Sequence, residues 1–273
     1  MAKSYGFCFG VKRAIKIAEN AGEASTIGEL IHNAEEINRL RQNFGVKTLS
    51  DASEVSDEKK LIIRTHGIQK EDLLRLRAQN KELIDATCPF VTKPQQIVEK
   101  MSDEGYDIVI FGDSNHPEVK GVKSYAKGRV FVVLEPSELK EIKLNSRVAV
   151  VSQTTKKIEN FVKIVDYLMQ KSREVRIFNT ICNATLENQE AAAELAKKAD
   201  IMIIVGGKNS SNTKQLFLIS QSFCKDSYLI ENEDEIEQIW FKNKNLCGIS
   251  AGASTPDWII KKVVEKIEKI SKF

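Results

Sequence analysis

Five cysteines, three histidines and a series of hydroxyl-rich turns are the residues of this 273-residue chain whose types and spacing could do chemistry. The cysteines include no C-x-x-C pair, so a zinc or redox motif built on close pairs is excluded. Their number is odd, and disulfides are rare in the cytosol, where we place the chain below, so we interpret them as thiols. Any metal site must therefore draw on residues distant in sequence. The cysteines are Cys8, Cys88, Cys182, Cys224 and Cys247.

Three of these cysteines are each followed along the chain by two polar turns, which forms a degenerate repeat. The simplest arrangement with this order is three similar α/β units that each contribute one thiol and two turns to a common centre. Because turn residues are usually polar, chance spacing is the alternative on this observation alone. The three series are Cys8 with His32 and His66; Cys88 with His116 and Thr154; and Cys182 with Ser210, Ser211, Asn212 and Ser254.

The surroundings of the cysteines divide them into two classes. Cysteine is a common buried residue, and that interpretation suits Cys224 and Cys247, which we predict in a helix and a strand. Cys8, Cys88 and Cys182 lie in polar loops near helix starts, where the helix dipole favours a thiolate. Three thiolates could hold zinc, but structural zinc has four closed ligands. An iron–sulfur cubane can be held by three distant thiolates, which leaves one iron open to substrate.

Short β-rich runs alternate with helical patterns, and this alternation predicts an α/β fold with mainly parallel sheets. Several apolar runs stop at a polar turn that precedes a helix, and ligands bind at such carboxyl ends of parallel strands. The turns are RTHG, FGDSNHPE, SQTT, GGKNSSNT and SAGAST. The predicted strands are 60–64, 107–111, 129–133, 147–152, 174–178 and 200–205, and a helix is predicted over 10–21.

Composition excludes several functional classes. Lysine and arginine number 41 against 38 acidic residues, so the net charge of +3 lacks the basic bias of a nucleic-acid or membrane binder. The longest apolar runs, such as IMIIV at 201–205, are too short to span a bilayer, and the first residues lack the apolar core of a signal peptide. We therefore expect a cytoplasmic protein without nucleic-acid or membrane partners.

Nine segments, in order, resemble the motifs of the 4-hydroxy-3-methylbut-2-enyl diphosphate reductase family. They extend from residue 6 to about residue 260, and although each string is short, nine in sequence are specific. The segments are GFCFGVKRA, LIHN, THG, DATCPFV, NHPEVKG, SQTT, TICNAT, GGKNSSNT and SAGASTPDWII. The family implies three α/β units in a pseudo-three-fold arrangement around a central 4Fe–4S cluster. The units would be 9–88, 89–182 and 183–273, with residues 1–8 packing against the third.

The resemblance implies an iron–sulfur oxidoreductase of the methylerythritol phosphate route to isoprenoids. Its last step is the reductive dehydroxylation of 4-hydroxy-3-methylbut-2-enyl diphosphate to isopentenyl and dimethylallyl diphosphate. Implied partners are this allylic diphosphate and a ferredoxin or flavodoxin electron donor, and no GxGxxG nicotinamide fingerprint is present. By resemblance, Cys8, Cys88 and Cys182 hold the cluster and Glu118 donates a proton. The implied substrate-binding residues are His32, His66, His116, Thr154, Ser210, Ser211, Asn212 and Ser254.

Helix capping is the alternative role for several of these residues. Ser254 or Thr255 before Pro256 could cap one helix, and Asn212 before TKQLF could cap another. Pro117 and Glu118 also suit the first turn of a helix, where the dipole should lower the pKa of Glu118 and oppose proton donation. Desolvation, a bound diphosphate and a nearby cluster would raise that pKa again, so we expect the donor role mainly in the closed complex.

The chain departs from the family pattern at two places. Only seven residues precede Cys8, so we expect either a short first strand or a translation start slightly upstream. Glu29 stands where many relatives have proline, and we expect this substitution to be neutral.

Two rival functions stay open: a Cys/His metal-dependent hydrolase and a non-catalytic module that binds phosphorylated metabolites. Zinc without acid-labile sulfide would support the first, and ligand binding that survives Cys88→Ser would support the second.

Overall fold

The computed structural model describes residues 1–55 and 58–270, and the chain divides into two compact units. Unit 1 contains Met1–Lys12, Ile31–Leu40 and Asn183–Phe273. Unit 2 contains Arg13–Leu30 and Arg41–Cys182. Among the described residues, no helix is long and apolar enough to cross a membrane.

Unit 2 contains two four-stranded sheets in which every strand pair is parallel. The first sheet has the order β2-β1-β3-β4 and the second has the order β6-β5-β7-β8. Their central strands are buried almost throughout, as expected where helices cover both faces of a parallel sheet. The strands are β1 Ala24–Ile27, β2 Val46–Leu49, β3 Lys60–Ile63, β4 Glu82–Asp85, β5 Asp107–Phe111, β6 Val130–Val133, β7 Arg147–Ser152 and β8 Glu174–Phe178.

Unit 1 contains one three-stranded parallel sheet with the order β10-β9-β11. Its strands are β9 Ile201–Val205, β10 Ser227–Ile230 and β11 Cys247–Ala251. The first residues of the chain run beside β11, because the backbone N–H of Ala2 donates to the carbonyl of Ile249 at 2.8 Å. Gly6 donates in the same way to Ala251 at 3.1 Å.

Helices follow most of the strands, and several of them bury an apolar face. In the last helix, for example, Ile259, Ile260, Val263 and Ile267 are buried and recur at helical spacing. The α-helices of the described residues are α1 Phe9–Ala21, α2 Ala34–Phe44, α3 Lys70–Ala78, α4 Pro89–Asp103, α5 Pro117–Lys123, α6 Ile158–Lys171, α7 Asn183–Ala196, α8 Ser211–Phe223 and α9 Asp257–Ile270. Short 3₁₀ helices lie at Pro136–Leu139, Glu233–Glu235 and Gln238–Phe241.

The predicted α/β class with parallel sheets is confirmed, and all six predicted strands and the first helix are present within one residue of their expected limits. The apolar runs did not reveal β1, β2, β4 and β10. These four-residue strands have mixed composition (ASTI, VKTL, ELID and SYLI), so their pairing depends on neighbours rather than on a local pattern. The domain limits at residues 88 and 182 and the pseudo-three-fold arrangement stay predictions.

Candidate functional site

In unit 2, the polar turns at the carboxyl ends of β3, β5 and β7 carry four of the predicted site residues. His66 follows β3 and His116 follows β5, and their rings meet edge to face with centroids 5.5 Å apart. Glu118 lies in the first turn of α5, and Thr154 follows β7. β5 and β7 are neighbours in the second sheet and therefore end at the same edge, whereas β3 belongs to the first sheet, so the contact between His66 and His116 joins turns of two different sheets.

The side chain of Glu118 is buried against Thr154. One carboxylate oxygen accepts the backbone N–H of Thr154 at 2.7 Å, and the other accepts its hydroxyl, also at 2.7 Å. Glu118 is only 2% exposed, and Thr154 is 7% exposed. A carboxylic acid in this position can pass a proton to Thr154 without contact with bulk water.

Burial raises the pKa of the Glu118 carboxyl above its usual value of 4.5. The hydrogen bonds from Thr154 and the positive charge of Lys156 oppose this rise, but desolvation is the largest effect. This direction agrees with the expectation that desolvation raises the pKa of Glu118, and burial alone has this effect before any ligand is bound.

His116 is the N-cap of α5. Its Nδ1 atom accepts the backbone N–H of Glu118 at 3.2 Å, so Nδ1 cannot carry a proton in this arrangement. The proton of the neutral ring must then be on Nε2. This leaves an N–H group suited to donate a hydrogen bond to an anion.

The three predicted cluster ligands share one backbone contact that the sequence did not reveal. Each cysteine donates its N–H to a carbonyl of a polar turn at the end of a neighbouring strand. Each cysteine also lies directly before a helix: α1 for Cys8, α4 for Cys88 and α7 for Cys182. The three bonds are Cys8 to Ala253 at 3.2 Å in unit 1, and Cys88 to Thr65 and Cys182 to Thr154, both at 3.0 Å, in unit 2.

The other two cysteines have different surroundings. Burial raises the pKa of the Cys247 thiol to about 11, so it stays protonated. Cys224 is buried and directs its sulfur at the carbonyl of Asp226, 3.7 Å away. It is the C-cap of α8, one residue beyond the helix in which we expected it, and Cys247 lies in β11 as predicted. Neither residue lies beside a polar turn of the site.

In unit 1, His32 and Ser254 are in direct contact. The Ser254 hydroxyl donates to the His32 carbonyl at 3.1 Å. The loop after β9 also packs on this backbone, because a Cβ atom on Gly207 would lie 2.5 Å from the same carbonyl oxygen. The turn therefore requires glycine at this position.

Three predicted residues open the α8 helix. Ser210 is the N-cap, and its hydroxyl oxygen accepts the N–H of Thr213 at 3.3 Å. The alternative that Asn212 caps this helix is wrong, because Asn212 follows Ser211 inside it. The Asn212 side chain is 4% exposed, and neither its amide oxygen nor its nitrogen has a hydrogen-bond partner among the described residues. Burying such a group unpaired costs about 1–3 kcal/mol, which points to a ligand as its partner.

Two buried side chains lie within motifs that the sequence identified, but the sequence did not predict their contacts. Thr65 is 5% exposed, and its hydroxyl oxygen lies 3.4 Å from Nδ1 of His66. Gln153 is 1% exposed and joins two turns: its amide oxygen accepts the N–H of Asp113 at 3.0 Å and its nitrogen donates to Thr155 at 3.1 Å. In the sequence, the only indication of this role was the presence of a glutamine within the SQTT turn.

Comparison with known proteins gives near-complete matches. The model of the family described as LytB protein matches residues 1–268. The 4-hydroxy-3-methylbut-2-enyl diphosphate reductase of Campylobacter hominis is 75% identical over 267 residues, covering 98% of this chain and 97% of the relative. The reductase of the same name from Campylobacter lari is 66% identical, covering 100% of this chain and 98% of the relative.

Two solved structures are also similar. One is (E)-4-hydroxy-3-methyl-but-2-enyl diphosphate reductase, described as the terminal enzyme of the non-mevalonate pathway. It is 42% identical with a TM-score of 0.72, and 98% of each chain is covered. The other is E-1-hydroxy-2-methyl-but-2-enyl-4-diphosphate reductase from Plasmodium falciparum, which is 29% identical with a TM-score of 0.91. The match covers 96% of this chain and 85% of the chain in that structure.

Proposed function

The chain belongs to the LytB protein family, and we propose that it catalyses the reaction for which its relatives are named, the reduction of 4-hydroxy-3-methylbut-2-enyl diphosphate. It is an enzyme, a reductase of the non-mevalonate isoprenoid pathway, whose terminal step this reaction is. The products in our proposal are isopentenyl and dimethylallyl diphosphate. The observation that supports this function most directly is the buried Glu118–Thr154 pair. In this pair the acid is placed to deliver a proton away from bulk water.

We propose that Cys8, Cys88 and Cys182 hold a 4Fe–4S cluster. The donor set suits this group, because three partly exposed thiols each precede a helix and share the same backbone contact. A zinc site would need a fourth closed ligand. When bound, the cluster supplies electrons singly and presents one iron atom without a protein thiolate.

The diphosphate would be held by hydrogen-bond donors and not by arginine. The buried Asn212 amide, which has no hydrogen-bond partner among the described residues, supports this role, as does the Nε2–H of His116. Hydroxyls and backbone N–H groups at the start of α8 add further donors, and the helix dipole favours negative charge there. The full proposed set is His32, His66, His116, Thr154, Ser210, Ser211, Asn212 and Ser254.

Glu118 is the proposed proton donor, with Thr154 as the relay. The substrate takes up two electrons as its allylic C–O bond breaks. One proton, delivered from Glu118 through Thr154, converts the departing hydroxyl to water, and a second proton adds to carbon. The raised pKa of Glu118 keeps more of this carboxyl protonated at a given pH, which favours the donor role.

The electron source in this proposal is a ferredoxin or flavodoxin, because these proteins deliver electrons one at a time. We place the reaction in the cytoplasm, where the five cysteines would stay reduced.

Purification without oxygen tests the function directly. We expect a brown protein that contains iron and acid-labile sulfide and that converts 4-hydroxy-3-methylbut-2-enyl diphosphate with a chemical reductant. A colourless preparation without sulfide would overturn the proposal. Zinc without sulfide would instead favour the hydrolase, and diphosphate binding without turnover would favour the binding module.

A further inference from the structure

The turn that carries Cys88 extends the edge strand of the first sheet, because β4 is the last strand in the order β2-β1-β3-β4. Beyond β4, the backbone N–H groups of Ala86 and Cys88 donate to carbonyls in and just after β3, each at 3.0 Å. Backbone groups of successive residues in an extended chain point to opposite sides, so the carbonyls of Asp85 and Thr87 point away from the sheet. Among the described residues, no strand pairs with this side of β4, and the outward carbonyls need donors from elsewhere.

Arg13 donates to both of these carbonyls. Its Nη1 atom lies 3.2 Å from the carbonyl oxygen of Thr87, and its Nη2 atom lies 3.2 Å from that of Asp85. The N–H of Thr87, which also points outward, donates to Oδ1 of Asp85 at 2.8 Å. Arg13 and the segment that it binds belong to unit 2. One guanidinium and one carboxylate therefore pair these outward backbone groups.

The peptide unit between Thr87 and Cys88 is consequently held at both ends. The carbonyl of Thr87 accepts from Arg13 on the outer side. The N–H of Cys88 donates to the carbonyl of Thr65 on the inner side. Both groups belong to one planar unit, so two bonds in opposite directions fix the orientation of that plane. The Cα atom of Cys88 lies in the same plane, and the plane therefore fixes the point from which the cysteine side chain extends.

The type of side chain matters for this contact. A guanidinium is planar and presents its N–H groups in a rigid fork, so it can hold two carbonyls at a fixed separation. The ammonium group of lysine is a single centre on a flexible stem. Arg13 extends from α1, where hydrogen bonds within the helix hold its backbone. The turn before Cys88 is thereby tied to a rigid element.

We propose that Arg13 is a positioning residue that fixes the peptide plane before Cys88 and so sets the position from which this cysteine binds the iron–sulfur cluster. The inference deepens the proposed function and rests on it for the role of Cys88. Arg13 acts through the backbone of the turn and need not contact the cluster or the substrate. The motif GFCFGVKRA contains Arg13, but nothing in that string indicates partners 72 and 74 residues away.

Two substitutions of Arg13 separate the fork from the charge. Arg13→Gln removes both, whereas Arg13→Lys keeps the positive charge and loses the fork. Arg75→Gln is the matched control, because Arg75 also donates to a backbone carbonyl of unit 2, that of Ala52, at 3.2 Å. Neither Arg75 nor Ala52 lies in a turn that carries a proposed cluster ligand.

Hydrogen exchange of the anaerobically purified protein, measured by mass spectrometry, tests the contact itself. We expect the amides of a peptide covering residues 85–91 to exchange about 10-fold faster in Arg13→Gln and at least about 3-fold faster in Arg13→Lys. The reason is that the loss of roughly one net hydrogen bond lets the end of β4 open more often. Exchange of this peptide in Arg75→Gln, and of β7 in every variant, should stay within about twofold of the parent. Unchanged exchange in Arg13→Gln, or parent-like exchange in Arg13→Lys, would overturn the proposal.

Release of iron to a chelator under anaerobic conditions tests the consequence for the cluster. The visible absorbance of Arg13→Gln should decay about 10-fold faster than that of the parent, because a loosened turn lets the thiolate leave the iron more often. Arg75→Gln should stay within about twofold of the parent. Equal acceleration in both variants would show a general loss of stability and would overturn the proposal, as would unchanged decay in Arg13→Gln.

Failure of the proposed function gives a different result. It would be seen in the parent itself, as a preparation without iron and sulfide. Failure of the role of Arg13 would be seen only in the variants, while the parent keeps its cluster.

Discussion

At the scale of single residues, the hydrogen bonds and the pKa of Glu118 are determined by the residues that surround it. Both carboxylate oxygens of Glu118 accept hydrogen bonds from Thr154, and the backbone N–H of Glu118 donates to Nδ1 of His116 and fixes the tautomer of that ring. One residue therefore organises two others that we propose to contact the substrate. Burial decides its protonation, because removing water penalises the charged carboxylate more than the hydrogen bonds stabilise it.

Glu118→Gln should abolish most turnover while leaving the iron–sulfur cluster intact. Glutamine keeps the shape and an oxygen that accepts the N–H of Thr154, but it has no proton of suitable acidity to donate. Loss of a general acid typically lowers kcat about 10²- to 10⁴-fold. The measurements are kcat with a chemical reductant and iron and sulfide content. A variant with full turnover would exclude Glu118 as the donor.

The raised pKa of Glu118 also predicts how stability depends on pH. A carboxyl whose folded pKa lies above its unfolded value of 4.5 stabilises the fold fully below 4.5, and this contribution is lost as pH rises through the folded pKa. The parent should therefore lose stability relative to Glu118→Gln as pH increases through that window. Thermal unfolding of both proteins across pH 4–8 measures the difference, and a constant difference would contradict the assignment.

At the scale of elements, the turns after the strands are shaped by close backbone approach. Gly207 lies so near the His32 carbonyl that no side chain fits between them, and the neighbour is backbone that cannot rotate away. The predicted substrate-binding loop and the His32 segment are thus held against each other by the absence of a Cβ atom. Packing here determines the position of the site residues, as in any close-packed interior.

Gly207→Ala should lower stability by about 1–3 kcal/mol and raise KM for the diphosphate, because the added methyl forces the loop away from His32. Gly128→Ala is the matched control: a Cβ atom at Gly128 would meet nothing within 4 Å. We expect that control to stay within about 0.5 kcal/mol of the parent. Chemical denaturation and substrate kinetics provide the measurements, and equal stability of the two variants would show that the contact is unimportant.

At the scale of the whole molecule, three cysteines about 80 to 94 residues apart occupy equivalent local positions. Each precedes a helix, and each is tied through its N–H to the turn of a neighbouring strand. These shared contacts favour the repeat over chance spacing, because chance would not reproduce the same hydrogen bond three times.

Each single substitution, Cys8→Ser, Cys88→Ser or Cys182→Ser, should cause the loss of most iron, sulfide and brown colour under anaerobic purification. The reason is that the two remaining thiolates hold a cubane poorly. Cys224→Ser and Cys247→Ser are the controls. They should retain the cluster, because Cys224 follows the last residue of α8 and Cys247 is the first residue of β11, so both lie at the ends of these elements opposite to the polar turns. A cluster that survives substitution of Cys88 but not of Cys224 would overturn the ligand assignment.

The sequence by itself determined the family and the class of fold, because both depend on local patterns of residues, and the same patterns led to the proposed site residues. Alternating apolar runs predicted the parallel strands, and short motifs around Cys88, His66 and Glu118 identified the family. The tertiary structure decided how those groups behave. The pKa of Glu118 rises because folding buries its carboxyl, although the hydrogen bonds from Thr154, 36 residues away, oppose the rise, and the tautomer of His116 follows from a backbone partner that folding supplies. Protonation depends on burial and on the donors at hand, and neither is a property of a local string of residues.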